Sequence, residues 1–284
     1  MRSRWCLSAG LATLGALLLA QPPLGAQWIH IRTEGIPRLA DGKPNLKAPA
    51  PRTREGKPDF SGMWLTNNPI PCVKEKGADF LECGVELPIA KEGINMGIDL
   101  PGGLPYRPEV AKMVKQRTAD DAKDDPHARC LPDTFIRSYG LPHIIKVVQL
   151  PAVLVMLDEQ NAGYRQVFTD GRALPIDPQP AWNGYSVGKW DGDTLVVQSI
   201  GFRDDLWLDL NGSPLTNSAK VTEKTRRPDF GHMDIELTVD DAKAYTKPWT
   251  VTLHQAVVVD TELVDEMCLE NEKSSRHLAG EKGK

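Results

Sequence analysis

The stretch YSVGKWDGDTLVVQSIGF, residues 185–202, contains two apolar, alternating runs on either side of an Asp191-Gly192 pair. An Asp-Gly pair in this setting is a strong signal for a tight β-hairpin. Similar short runs recur along the chain with turn residues between them, which is typical of an all-β sandwich or barrel. The other predicted strands are residues 60–67, 143–150, 152–159, 163–172, 219–227, 232–240, 249–259 and 262–268. We predict a mainly β protein, an antiparallel lipocalin-like β-barrel, with a β-sandwich as the alternative.

Two other segments complete the predicted organisation. Residues 27–58 are rich in Pro, Gly and charge and repeat Gly-Lys-Pro, which marks turns and predicts an extended N-terminal arm. Residues 107–125 carry Pro108 and Glu109 where a first helical turn favours them, followed by Val110, Met113 and Val114 at helical spacing. We therefore expect one helical insertion near 107–125, within a barrel domain that spans residues 59–284.

The N-terminus has the pattern of a secretory signal peptide. Arg2 and Arg4 precede the apolar run LATLGALLLA and a short region of small residues. This run is too short to span a bilayer as a permanent helix. We expect residues 1–26 to be removed, with cleavage after Ala26 or alternatively after Ala20. The mature chain would then be exported, periplasmic or secreted, without insertion into the membrane.

The net charge of the chain indicates which classes of partner to expect. The formal net charge is −4, and loss of Arg2 and Arg4 with the signal peptide brings it to −6. A mildly acidic surface of mixed sign argues against nucleic-acid binding, which needs clustered Lys and Arg. We expect a small-molecule partner, whereas the sequence leaves the oligomeric state open.

Four cysteines remain after the signal peptide is removed: Cys72, Cys83, Cys130 and Cys268. In an exported protein they favour two disulfides, for which three connectivities are possible. The preferred pairing is Cys72–Cys83, which closes a short loop, with Cys130–Cys268, which ties the middle of the chain to a last strand. One disulfide with two free thiols is the alternative.

Several long motifs resemble a large family of exported bacterial proteins that are mostly described as hypothetical. The resemblance rests on DGRALP, NGYSVGKWDGDTLVV, FGHMDI and AYTKPW, and extends over most of the mature chain. It implies export and no particular chemistry. Relatives often carry one or two histidines between the Trp207 segment and the VTEK strand, but residues 211–219 here contain none.

The strand GHMDIEL provides the candidate catalytic residues. Alternate residues share a face of a strand, so His232 and Asp234 lie on one side and Met233 and Ile235 on the other. His232 could serve as a general base oriented by Asp234, although the same alternation is expected when this face is merely in solvent. The other histidines have no partner at an informative spacing. We therefore expect neither a metal site nor a cofactor.

Candidate ligand-binding residues come from three other segments. Arg165 lies on a predicted strand and could point inward to hold an anionic group. Trp182, Asn183 and Tyr185 lie in a loop before a strand, where aromatic rings beside an amide suit a planar or sugar-like ligand. Tyr245 could close the barrel end. Each of these residues could instead serve packing or turn formation.

These observations favour an exported lipocalin-like barrel that binds a small, partly apolar organic ligand. One alternative is a cofactor-independent lyase, isomerase or hydrolase that uses His232 as its general base. Another is a cell-envelope interaction protein that uses the Pro-rich arm. An enzyme requires a base and an electrostatic stabiliser that reach one point, whereas a binding protein requires only a lined cavity.

Overall fold

The computed structural model describes residues 31–67 and 89–270, and its centre is a closed barrel of nine strands. The barrel strands are β1 (Gly62–Thr66), β2 (Ile145–Gln149), β3 (Val153–Asp158), β4 (Tyr164–Phe168), β5 (Tyr185–Asp191), β6 (Thr194–Ile200), β9 (Lys220–Arg226), β10 (His232–Asp240) and β11 (Trp249–Val258). They follow one another around the barrel in the order β1-β11-β10-β9-β6-β5-β4-β3-β2, and pairing of β1 with β2 closes the barrel. A separate two-stranded ribbon consists of β7 (Leu206–Trp207) and β8 (Pro214–Leu215).

The predicted lipocalin-like barrel is confirmed, and the β-sandwich alternative is wrong. The strand directions correct the prediction in one place, because β4 and β5 pair in parallel, with Val167 opposite Ser186. Parallel neighbours require a long crossover connection. Residues 169–184, which include three prolines, provide that connection by returning the chain to the end from which β5 can start.

The β5–β6 hairpin forms where the Asp-Gly signal indicates, with the turn one residue later than the pair itself. Asp191 pairs with Thr194, so Gly192 and Asp193 occupy the two turn positions. Gly192 has φ +58°, a conformation that suits glycine in a tight hairpin turn. The local signal therefore locates the hairpin, whereas the pairing of Asp191 with Thr194 sets the register one residue later than the signal indicates.

Alternation along the strands places the core inside the barrel. In β10, Met233, Ile235, Leu237 and Val239 are buried, and the intervening residues are partly exposed. The buried residues of β10 belong to one hydrophobic cluster with residues from the neighbouring strands. The polar face of β10 therefore points outward, away from the barrel interior.

Helical segments precede the second strand. They are α1 (Lys91–Ile94), α2 (Pro108–Ala119), a 3-10 turn (His127–Arg129) and α3 (Phe135–Ser138). Helix α2 confirms the predicted helical insertion and begins at Pro108 as expected. It ends before the predicted boundary, and Asp121 and Ala122 just after it adopt left-handed conformations with φ +53° and +51°.

Helix α3 packs over one end of the barrel, which we call the capped end. The Thr134 side chain accepts a hydrogen bond from the Arg137 amide and so caps the helix. Arg137 is fully buried, and its guanidinium donates to both carboxylate oxygens of Asp125 at 2.7 and 2.6 Å. Helix α1 lies against Gly140 so closely that a Cβ on Gly93 would be 2.4 Å from the Gly140 oxygen.

The Cys130–Cys268 disulfide is present, which confirms that part of the cysteine prediction. Cys72 and Cys83 lie outside the described residues. The predicted last strand at residues 262–268 is wrong, because this segment makes a single β-bridge, between Gln160 and Glu266. The disulfide therefore attaches an irregular C-terminal segment to Cys130, at the end of the 3-10 turn, and the β-bridge attaches it to the turn between β3 and β4.

The described part of the arm, residues 31–58, contains two turns of the same type. In each turn an arginine side chain donates to the glycine oxygen four residues later, Arg38 to Gly42 and Arg52 to Gly56. Each arginine also pairs with a carboxylate of the barrel domain, Asp260 and Asp193 respectively. The predicted signal peptide lies outside the described residues. Within residues 31–67 and 89–270 we find no helix with the length and apolar character needed to cross a membrane.

Candidate functional site

The capped end of the barrel contains a small cleft of about 40 Å³, which we call the mouth cleft. Its polar lining includes Asp133, Asp158, Gln160 and Asn183, and its apolar lining includes Phe135, Ile145, Met156 and Tyr164. These residues come from helix α3 and the chain before it, from β2 to β4 and from the loop before β5. The cleft is thus created by barrel closure and capping, not by one local motif.

Arg165 lines the floor of the mouth cleft and continues into the barrel interior. Its guanidinium donates to Glu223 on β9, to Tyr139 at 3.3 Å, to Ser186 at 3.2 Å and to Ser199 at 3.1 Å. We call these five residues the Arg165 cluster. All five are buried, which is costly for charged groups unless they are paired and hydrogen-bonded, as they are here.

The Arg165 cluster also holds helix α3 and the residue after it against the barrel. The guanidinium carbon lies 3.3 Å from the centre of the Phe135 ring, and Tyr139 donates a hydrogen bond of 2.9 Å to Glu223. The interior cavity beside the cluster measures only about 30 Å³, which is roughly enough for two or three water molecules. Side chains therefore fill the barrel interior.

Asn183 connects two walls of the mouth cleft. Its Oδ1 accepts a hydrogen bond of 2.8 Å from the main-chain amide of Phe135, and its Nδ2 donates to the main-chain carbonyl oxygen of Tyr164 at 3.0 Å. Both polar ends of the side chain are used in this way. Asn183 accordingly holds the start of helix α3 against β4.

Two carboxylates reach the mouth cleft from different segments. Asp133 has a side chain only 2% exposed and lies 2.7 Å from Nδ1 of His127. Burial disfavours its charged form, but the hydrogen bond with His127 and the charge of Arg137 outweigh this effect and keep its pKa below the usual value. Burial raises the pKa of Asp158, although hydrogen bonds from Ser138 and the Gln160 amide oppose the change.

A second group of titratable residues lies beside the cleft. His143 Nδ1 is 3.3 Å from Glu266 Oε2 and 3.9 Å from Glu159 Oε1. Burial lowers the pKa of His143 and raises the pKa of Glu159. One ligand atom from each of the three side chains lies within 4.8 Å of the others, a spacing that could accommodate a metal ion.

The predicted catalytic residues lie on the outer face of β10. His232 Nδ1 is 2.6 Å from Asp229 Oδ1, whereas Asp234 lies 2.7 Å from His254 Nδ1. The expected His232–Asp234 pair is therefore not formed. Their outward direction follows from the burial of Met233 and Ile235 on the opposite face.

The predicted ligand-binding residues do not all converge. Arg165 and Asn183 line the mouth cleft together, and Trp182 packs against the core with the Arg203 guanidinium 4.5 Å from its ring centre. Tyr185 accepts a hydrogen bond from Arg172 at 3.1 Å. Tyr245 is buried and donates to the Pro214 oxygen at 2.8 Å, which places it in the packing against the β7–β8 ribbon.

Sequence reasoning did not single out the acidic and histidine residues of the capped end. His127 and Asp133 are six residues apart, in a segment without strand periodicity. Asp158 and Glu159 end a predicted strand, where acidic residues are common next to turns. His143 and Glu266 are far apart along the chain and meet only through the disulfide-linked segment. No local spacing could have linked them.

We compared the chain with protein-family models and with curated proteins, and neither comparison finds a match.

Proposed function

We propose that this protein is an exported barrel that binds a small organic ligand at the mouth cleft, not within the barrel. Size does not distinguish the two spaces, because the mouth cleft measures about 40 Å³ and the cavity beside the Arg165 cluster about 30 Å³. The pairing of the charged groups supports the mouth cleft, since Arg165 and Glu223 in the interior are paired with each other, whereas the hydrogen-bond partners of Asp158 in the mouth cleft are uncharged. The predicted signal peptide and the Cys130–Cys268 disulfide support export.

The lining of the cleft indicates the chemistry of the ligand. Asp133 and Asp158 present hydrogen-bond acceptors, while Phe135 and Met156 provide apolar surface beside them. Asp133 is already balanced by Arg137, but the hydrogen-bond partners of Asp158 are uncharged. A cationic or hydrogen-bond-donating head group on a short apolar body fits this combination. The observation that carries the proposal is the placement of Asp158 beside apolar surface at the capped end of a filled barrel.

The cleft volume limits how much of the ligand can enter. A space of about 40 Å³ accommodates a head group such as an ammonium, not a whole drug-sized molecule. Tyr164, 66% exposed at the rim, offers a ring against which the body of the ligand can pack. In this arrangement Arg165 and Asn183 position the walls of the cleft, and Asp158 contacts the ligand.

Benzylamine and benzoate are matched probes of similar shape and opposite charge. We expect benzylamine to raise the melting temperature of the mature protein progressively with concentration, and benzoate to leave it unchanged. The stabilisation should reach about 0.4 kcal/mol when benzylamine equals its Kd. Asp158→Asn should abolish the shift, while Asp234→Asn, on the outer face of β10, should preserve it. A shift that survives Asp158→Asn, or no shift at all, would contradict the proposal.

The two alternative functions receive less support from the geometry. His232 and Asp234 lie on the outer face and pair with other residues, so they do not supply a base for the mouth cleft. The described part of the arm is attached to the barrel domain through Arg38 and Arg52, whereas an interaction protein would use a mobile arm. The ligand-binding function remains the better supported.

A further inference from the structure

Three segments that are distant in sequence meet beside the mouth cleft. His143 precedes β2, Glu159 follows β3, and Glu266 lies on the segment held by the Cys130–Cys268 disulfide. The His143 Nδ1 atom lies 3.3 Å from Glu266 and 3.9 Å from Glu159. Four-coordinate zinc with bonds of roughly 2.0–2.2 Å separates its ligand atoms by about 3.3–3.6 Å. The observed separations are therefore close to those of a metal site.

The surroundings of His143 are a second indication that this cluster binds a ligand. The residue is only 9% exposed, and its Nδ1 is buried without a hydrogen-bond partner. A buried nitrogen without a partner is unfavourable and calls for an explanation, such as a bound ion. Since Nδ1 lies within 3.9 Å of both carboxylates, one cation between the three groups would satisfy all of them.

The C-terminal segment is held in a position that suits a ligand. The backbone of Glu266 donates to the Glu159 oxygen at 2.7 Å and accepts from the Asn161 amide at 2.6 Å. The Glu266 side chain is nevertheless 58% exposed, so its carboxylate can shift toward an ion. This exposure also leaves room for water in the remaining coordination positions.

We propose that His143, Glu159 and Glu266 form a binding site for a divalent transition-metal ion of the Zn²⁺ type. Two carboxylates balance the charge of a divalent ion, and the imidazole nitrogen favours Zn²⁺ over Mg²⁺ or Ca²⁺, which prefer oxygen ligands. The sequence indicated no metal site because the three ligands lie on separate segments. None of these three residues lines the mouth cleft, so the metal-site proposal and the ligand-binding proposal can each fail without the other.

Zn²⁺ titration of the chelator-treated, oxidised mature protein by calorimetry tests the site. We expect one ion per chain. Loss of a residue that only hydrogen-bonds a metal ligand commonly weakens metal binding about 10-fold or more, so we expect Glu266→Gln, which changes a ligand itself, to raise the Kd for Zn²⁺ by at least about 10-fold. Glu262→Gln is the matched control, because Glu262 lies on the same segment but pairs with Lys146. His254→Ala controls for Zn²⁺ bound by a surface histidine, and both controls should retain the wild-type Kd.

The disulfide provides a second test that leaves all three ligands intact. A Cys130→Ser/Cys268→Ser variant releases the segment that carries Glu266, so its Kd for Zn²⁺ should also rise about 10-fold or more. Circular dichroism would verify that the barrel is folded. Absence of one-to-one binding, or a Kd unchanged by Glu266→Gln, would overturn the proposal.

Discussion

Two ion pairs join side chains of the barrel strands, one pair inside the barrel and the other on its outer surface. Arg165 and Glu223 join β4 to β9 inside the barrel, with side chains 3% and 2% exposed. His254 and Asp234 join β11 to β10 on the outside, with side chains 46% and 44% exposed. Alternation along each strand predicts which residues share a face, but it does not show which charged face turns inward.

The difference between the two pairs has a physical basis. A charge inside the barrel loses its hydration and must be compensated by several hydrogen bonds, as Ser186, Ser199 and Tyr139 do for Arg165 and Glu223. A charge on the outer face keeps its water, so its partner contributes little. Burial, not residue type, therefore decides what each pair contributes.

Removing one member of the interior pair should have the largest effect. Arg165→Met leaves Glu223 buried without its cation, which we expect to lower the free energy of unfolding by about 3–5 kcal/mol. Adding Glu223→Leu removes the unpaired buried carboxylate and should restore much of the lost free energy of unfolding. Urea denaturation of both variants measures the difference. If the double variant were less stable than Arg165→Met, the pair would not be costly in the way its burial indicates.

A smaller effect is expected from a neutral member of the Arg165 cluster. Ser199→Ala leaves part of the Arg165 guanidinium without an acceptor and should cost about 1–3 kcal/mol. Thr238, whose hydroxyl bonds Thr250 at 2.8 Å on the outer face, is the matched control. Thr238→Ala should change stability by less than about 0.5 kcal/mol. Equal losses in the two variants, measured by denaturation, would remove the contrast between the faces.

The free energy of unfolding should also depend on pH through Tyr139, a buried member of the Arg165 cluster. Burial, together with the negative charge of Glu223, raises the pKa of Tyr139 well above its usual value. Above pH about 10 the unfolded chain loses this proton while the folded chain retains it, so the free energy of unfolding falls as pH rises. Tyr139→Phe should make this fall shallower, by up to about 1.4 kcal/mol per pH unit.

Denaturation of wild type and Tyr139→Phe from pH 7 to pH 11 provides that measurement. The difference at pH 7 records the lost hydrogen bonds, and only the change in slope reports the proton. Parallel curves for the two proteins would show that Tyr139 ionises in the folded state much as it does in the unfolded chain.

The smallest effect is expected on the outer face of β10 and β11. Asp234→Asn weakens an exposed pair with His254, and surface pairs contribute about 0–1 kcal/mol. We expect a change within about 0.5 kcal/mol in thermal or urea denaturation. A loss of more than 2 kcal/mol would mean that this face is covered, for example by another chain, and that it is not simply solvated.

Much of the fold could be predicted from local patterns. Pro108 and the apolar spacing after it located helix α2, and the Asp191-Gly192 signal located the β5–β6 hairpin to within one residue. The parallel β4–β5 pair could not be predicted, because it depends on where a long, proline-containing connection leads. The strand expected at residues 262–268 failed because the disulfide and one β-bridge hold that segment in place of a full strand pairing.

The candidate site was predicted less well than the fold. Arg165 and Asn183, two of the residues predicted to bind a ligand, both line the mouth cleft, and their hydrogen bonds identify them as positioning residues. The carboxylates and histidines of the capped end were missed, since Asp133, Asp158, His143 and Glu266 belong to four separate segments. Only closure of the barrel and docking of the C-terminal segment bring them together.

The sequence by itself predicted the nine barrel strands, the helix and the turns of the arm, because each depends on local patterns, and it favoured the Cys130–Cys268 pairing among three possible connectivities. The tertiary structure alone decided that Arg165 meets Glu223, 58 residues away, and that His143 meets Glu159 and Glu266. Local patterns depend on backbone conformation and on alternation between two faces. Partners across a closed barrel depend on strand order, which no single stretch of this chain encodes.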